Sequence, residues 1–305
     1  LPGWVAVVAF VAVLVAGLLI ACWLDGDDDD KKSKKNKKNK ELIFALPFVE
    51  NEATNWGGMF LYQDALFIGQ AHGRDGQVIA TDTLNLKGSG GVFRYEYKEE
   101  FFKTYKPEDT RRDGSFLEYY MKKADDGTLS EFGCMMTKMQ GTLNSTGNHI
   151  YISDIMLYRY SDVLLMMAEC ENGLGNPCAS YINEVRARAY GDNFAGNEYV
   201  EGTYAENELA ILKERDKEFV GEGKRWFDLV RYTERLSAAD DSEDAMRTMY
   251  NEYMSAITGY EMARNRCENL WGLYSPIYYM ECKAYRAGGS NINQNPVWNK
   301  SKYDR

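Results

Sequence analysis

The stretch from Leu157 to Tyr232 constrains this chain most, because its apolar residues recur at helical spacing while glycines and a proline cut the pattern into pieces. Tyr160, Val163, Leu164, Met167, Ala168 and Leu174 fall three or four apart and predict one face of an amphipathic helix, with Asp162, Glu169 and Glu171 on other faces. Gly173, Gly175, Asn176 and Pro177 end that helix and start the next. A second helix is predicted from about Cys178 to Tyr190, with Ile182, Val185 and Ala189 inward and Arg186 and Arg188 projecting. So short a connection makes the two antiparallel.

A third helix, from about Glu206 to Val220, turns Leu209, Leu212 and Phe219 inward. Its alternating charges from Lys213 to Glu218 predict a solvated face. After Gly221 and Gly223 a fourth helix carries Trp226 and Phe227 as core residues, bracketed by Arg225, Asp228 and Arg231. Consecutive helix hairpins are the architecture of tetratricopeptide-like arrays, although no clean repeat of about 34 residues is present.

Three blocks in this stretch, RYSDVLLMMAEC, INEVRARAY and ERDKEFVGEGKRWFDLVR, resemble in order the signature of the SusD/RagB family of nutrient-binding lipoproteins. ELIFALPF at Glu41 is similar to the family's E-x-IF strand and YKPEDTRRDGSF at Tyr105 to its D-x-R loop. TKMQG at Thr137, SPIYYMEC and NQNPVW are similar to further family segments. The resemblance implies a mainly α, SusD-like fold, with tetratricopeptide-like hairpins beside a loop-rich, partly β segment. It also implies a long helical portion ahead of the E-x-IF strand; forty residues precede that strand here, so the resemblance is to the family's C-terminal part. Arg159, Asp162, Glu169, Arg186, Arg188, Arg225, Trp226, Asp228 and Arg231 then read as a signature that holds the fold.

Those forty residues divide in two. Residues 1–24 include an apolar run from Val5 to Leu24, long enough at about 20 residues to cross a bilayer. Within it Leu19-Ile20-Ala21-Cys22 matches a lipobox, which makes Cys22 the lipidation site of a lipoprotein signal. A transmembrane helix and a cleaved signal peptide both fit the run. Residues 25–40 carry five aspartates and seven lysines, a composition that cannot bury apolar area and predicts a disordered tether. The DDDDK string in it is also that of an engineered protease site. Residues 41–305 form the expected globular domain.

The net charge is −10, to which the tether contributes +2, leaving −12 from Glu41 onward. An acidic domain is a poor nucleic-acid ligand and suits a neutral, hydrogen-bonding one. Besides Cys22 there are five cysteines without a CxxC pair, which is neither a zinc site nor a disulfide framework; Cys170 and Cys178 sit on either side of a helix–helix turn and could pair, though buried free thiols are the better reading. His72 and His149 stand alone as surface or turn residues, and no nucleophile elbow or P-loop is present. Asp125-Asp126, Asp240-Asp241 and Glu243-Asp244 read as solvated loop carboxylates.

Aromatics outside the periodic helices are better suited to binding, because a pyranose offers an apolar C–H face to a ring. Trp56 and Tyr62 are the expected stacking residues, with Asn55 and Arg74 as polar partners; Phe93, Phe116, Tyr119 and Tyr120 lie in similar stretches. FRYEY at Phe93 also alternates like a strand.

The resemblance implies a non-catalytic, surface-exposed lipoprotein of the outer membrane, active in nutrient uptake and polysaccharide utilisation. It would bind an oligosaccharide without cofactor or metal and pass it to a SusC-like TonB-dependent transporter. A helical-repeat scaffold for protein partners and, third, a glycoside hydrolase are the alternatives.

Overall fold

The computed structural model describes residues 41–55, 58, 68–86, 88–93 and 96–238, with side chains to residue 232. The predicted anchor with Cys22 and the tether lie outside the described residues, as do Trp56 and Tyr62. Two compact units meet in sequence between Lys224 and Arg225, and each is taken by itself.

The first unit opens with strand β1 (Leu42–Leu46), at the position of the E-x-IF resemblance. Two short helices follow, α1 (Glu99–Phe102) and α2 (Thr110–Ser115). The expected D-x-R loop is thus in part helical: Asp109 caps α2 by accepting from the Arg111 amide at 3.1 Å. Strands β2 (Phe116–Lys123) and β3 (Leu129–Met136) form an antiparallel hairpin, in register from Phe116 opposite Met136 to Lys123 opposite Leu129. A minimal pair, β4 (Thr142–Leu143) and β5 (His149–Ile150), leads to β6 (Ile155–Arg159), which returns antiparallel to β1.

Strand β6 runs directly into helix α3 (Tyr160–Leu174). Its end has a physical cause: Gly175 adopts φ +78°, its amide bonds the Asn172 carbonyl at 3.0 Å, and the Asn176 amide bonds that of Glu171 at 2.9 Å. This is a Schellman cap, which satisfies carbonyls the helix leaves unpaired. Helix α4 (Ala179–Tyr190) starts four residues later. The Glu201 carboxylate accepts from the amides of Cys178 and Ala179 at 2.9 and 2.8 Å, placing negative charge at the positive end of α4. Helix α5 (Tyr204–Glu218) opens with a capping box between Thr203 and Glu206.

The partners of these helices fix their directions. Glu208 and Arg215 of α5 meet Asn172 and Asp162 of α3, so the two run antiparallel. Arg186 and Arg188 of α4 meet Glu214 and Glu218 of α5 in rising order, so α4 and α5 run the same way, with residues 191–203 carrying the chain back. Leu164, Leu165, Ala168, Ile182, Val185, Ile211 and Phe219 close the core between the three helices. Each large side chain fully buried there contributes about 1.5–3 kcal/mol relative to exposure.

Several expectations are corrected. On α3, Tyr160 and Leu174 are exposed, whereas Asp162 and Glu169 are buried, because Arg215 sits against both carboxylates. The charges of α5 do not form a solvated face: Glu214, Arg215 and Glu218 are 2, 4 and 2 % exposed. Phe116 and Tyr119 are core residues of the β hairpin, 4 % exposed each, so neither offers a ring to a ligand. Phe116 packs edge-on against Tyr97 and Tyr105 at ring separations of 5.2 and 5.8 Å. Phe93 packs on a second core around Ala71, Leu86 and Met135, with φ +36°. Neither histidine is a plain surface residue: His72 bridges Val78 and Tyr120, and His149 packs at a tilt against Tyr151 with ring centres 4.8 Å apart. Cys170 and Cys178 are free thiols, the better of the two readings open to them.

The second unit is described through helix α6 (Arg225–Ala238). Asp228 and Leu229, with Tyr232 four and three residues on, are its buried face. Phe227 projects away and is 64 % exposed, contrary to its expected core role, and Trp226 is half-buried. Arg231 pairs with Asp228 at 2.6 Å along the helix.

Candidate functional site

Four cationic side chains from four segments converge where α5 ends. Arg111, beside the cap of α2, is held by Asp109 at 2.8 Å, by Glu214 at 2.7 Å and by Glu218 at 3.1 Å. Arg159, the last residue of β6, donates to Glu41 at 2.8 Å, to Glu222 at 2.9 and 3.1 Å, and to Glu218. Arg188 of α4 reaches Glu41 and Glu218. Lys138, after β3, donates to the Glu218 carbonyl at 3.0 Å and to Glu222 at 3.2 Å. The Arg159 guanidinium also lies 4.7 Å from the centre of the Phe219 ring.

Burial would raise the Glu218 carboxyl, but the charges of Arg159, Arg188 and Arg111 overcome it and hold the group well below the usual carboxylate range. Burial pushes the Lys138 ammonium below its ordinary value in spite of Glu222. These groups stay charged because each is paired, as buried charges must be.

The cluster borders an open cavity of about 500 Å³. Its lining contains four cations, Arg111, Lys138, Arg159 and Arg188, and four carboxylates, Glu41, Asp154, Glu218 and Glu222, with Leu42, Met139 and Met156 as the apolar part. Arg188 and Glu41 are its most accessible charges, with side chains 45 and 36 % exposed. Among the described residues no group of three or more His, Cys, Asp or Glu is placed to hold a metal ion.

The residues expected from sequence are placed as follows. Arg159 and Arg188 belong to the cluster, Arg186 joins it through Glu214 at 2.8 Å, and Asp162 with Glu169 forms a neighbouring group on Arg215. Asn55 and Arg74 are engaged within the fold: Asn55 bonds the Tyr151 and Ser153 carbonyls, and Arg74 pairs with Asp113 at 2.6 Å and Glu118 at 3.0 Å. Sequence reasoning passed over Glu41, Asp109, Arg111, Lys138, Glu218 and Glu222. All six stand inside the blocks ELIF, EDTRR, TKMQG and EFVGEG, so the pattern contained them without showing that they meet.

The SusD family model matches residues 33–298. The chain belongs to the SusD family. A solved SusD superfamily protein from Bacteroides fragilis is 32 % identical with a TM-score of 0.65, over 86 % of this chain and 52 % of that one. SusD-like protein P25 of Formosa agariphila is 37 % identical over 100 residues, 29 % of this chain and 17 % of that protein. The SusD-like fold extends to surface glycan-binding protein A of Bacteroides thetaiotaomicron, solved in complex with laminarihexaose, at 17 % identity and a TM-score of 0.51 over 96 % of this chain and 60 % of that one. This chain spans about half the length of the solved SusD superfamily protein from B. fragilis.

Proposed function

We propose that this chain is a non-catalytic, cell-surface glycan-binding protein that captures an oligosaccharide and passes it to a SusC-like TonB-dependent transporter of the outer membrane. Membership of the SusD family over residues 33–298 carries the reading. The fold shared with a surface glycan-binding protein solved in complex with laminarihexaose supports it. The signal ahead of Cys22 would be cleaved, lipidated Cys22 would anchor the protein to the membrane, and residues 25–40 would act as the spacer. Rings stack on pyranose faces while amides and charged groups bond the hydroxyls, so recognition needs no covalent step. Trp56 and Tyr62, with Asn55 and Arg74, remain the proposed stacking and polar residues of a loop site.

The test is calorimetric titration of the full chain in detergent with neutral hexasaccharides, laminarihexaose and maltohexaose among them, with chromatography of the sugar afterwards. Binding without shortening of the oligosaccharide is expected. Release of shorter sugars would overturn the non-catalytic assignment, and no binding to any glycan would overturn the function.

A further inference from the structure

We propose that the charge-lined cavity beside Glu218 is itself a sugar-binding subsite, accepting one end of a neutral oligosaccharide; this rests on the glycan-binding reading above. Its volume of about 500 Å³ lies within the range of roughly 300–1,000 Å³ common for small-ligand sites. The chemistry of the lining selects the ligand class. Four cations face four carboxylates in the lining, so a charged ligand would unbalance a wall whose charges already match, whereas a polyhydroxyl ligand would not.

Hydrogen-bonding capacity remains on that wall. Arg188 spends one Nη on Glu41 and the other on Glu218, and its side chain is 45 % exposed. Lys138 spends two of its three N–H groups, on the Glu218 carbonyl and on Glu222. Asp154 accepts the Phe48 amide on Oδ1 at 3.1 Å, leaving Oδ2 as an acceptor. The remaining donors of Arg188 and Lys138 and the acceptor of Asp154 match a sugar, whose hydroxyls both donate and accept. Met139 and Met156 supply apolar surface for its C–H face. Both donors are held in place by the ion pairs behind them, so little ordering is needed on binding.

Gly114 gives a test that spares the network. It lines the cavity, and a Cβ built on it meets nothing within 4 Å, so the chain has room to leave the backbone there and Gly114→Trp adds bulk at the cavity wall. Asp154→Asn keeps an Oδ1 acceptor for the Phe48 amide and replaces Oδ2 by a donor. Titration of the full chain and both variants with the same hexasaccharides should show binding weakened about tenfold or more by Gly114→Trp and several-fold by Asp154→Asn. Their thermal midpoints should stay within about 3 °C of the parent. Parent-like affinity in both variants would overturn the subsite and leave the glycan-binding function standing, the more so if Trp56→Ala abolished binding. A parent chain that bound no glycan would remove both.

Discussion

Arg111 Nη1 lies 3.1 Å from Glu218 Oε2, joining residues 107 apart in the chain. The same carboxylate takes Arg159 and Arg188, so three guanidinium groups from three segments depend on one buried anion. Removing that anion leaves Arg111 with Asp109 and Glu214, Arg159 with Glu41 and Glu222, and Arg188 with Glu41, so three cations lose the one carboxylate they share. Glu218→Ala should destabilise the protein by about 3–5 kcal/mol in denaturant unfolding. A loss below about 1 kcal/mol would show that the arginines find other partners.

The depressed carboxyl of Glu218 also sets an acid limb. Its stabilisation is complete above the unfolded-state value of about 4.3 and is lost as pH falls from there toward the lower native value. Thermal midpoints measured from pH 6 downward should drop more steeply for the parent chain than for Glu218→Gln. Parallel curves would place the acid sensitivity elsewhere.

Two glycines should respond in opposite senses to alanine. Gly175 holds φ +78° at the end of α3, so Gly175→Ala should cost about 1–2 kcal/mol despite the open space around it. Gly114 sits in α2 outside the left-handed region, and Gly114→Ala should gain about 0.5–1 kcal/mol. Chemical denaturation of both variants checks the contrast, which equal effects would refute.

The thiols of Cys134 and Cys178 should be inert. Burial, and then Glu96 beside Cys134 and Glu201 beside Cys178, push both up to about 12. Peptide-resolved alkylation of the native chain at neutral pH should leave both unlabelled until denaturant is added. Rapid labelling of Cys178 would show that the end of α3 and the start of α4 open readily.

Helices were the legible part of the fold. The spacing of Leu164, Met167 and Ala168, together with Gly175, specifies α3 from nearest neighbours alone, and its observed ends agree with that reading. Charge placement was not legible in the same way. The run Lys213 to Glu218 has the pattern of a solvated face, yet it turns inward because Arg111, Asp162, Arg186 and Arg188 wait on other elements to neutralise it. Such pairings cross 28 to 107 residues, and no local period encodes them. The same limit hid Phe116 and Tyr119: their strand is buried by Met135 and Val220 from distant segments, so aromatics that looked available for stacking became core.

The clamp at Glu218 also fixes an order of assembly. Glu41 is bound by Arg188 across 147 residues and by Arg159 across 118, and Lys138 and Arg159 both await Glu222. Contacts that close loops this long form late, after the entropy of closure has been met. A chain emerging from its N-terminus therefore has Asp109 for Arg111 and Glu41 for Arg159 and Arg188, but none of the four cations has Glu218 or Glu222 until α5 is complete. Through that interval the four cations outnumber the carboxylates set against them, and truncation ahead of Glu218 would fix that imbalance in a half-built interior.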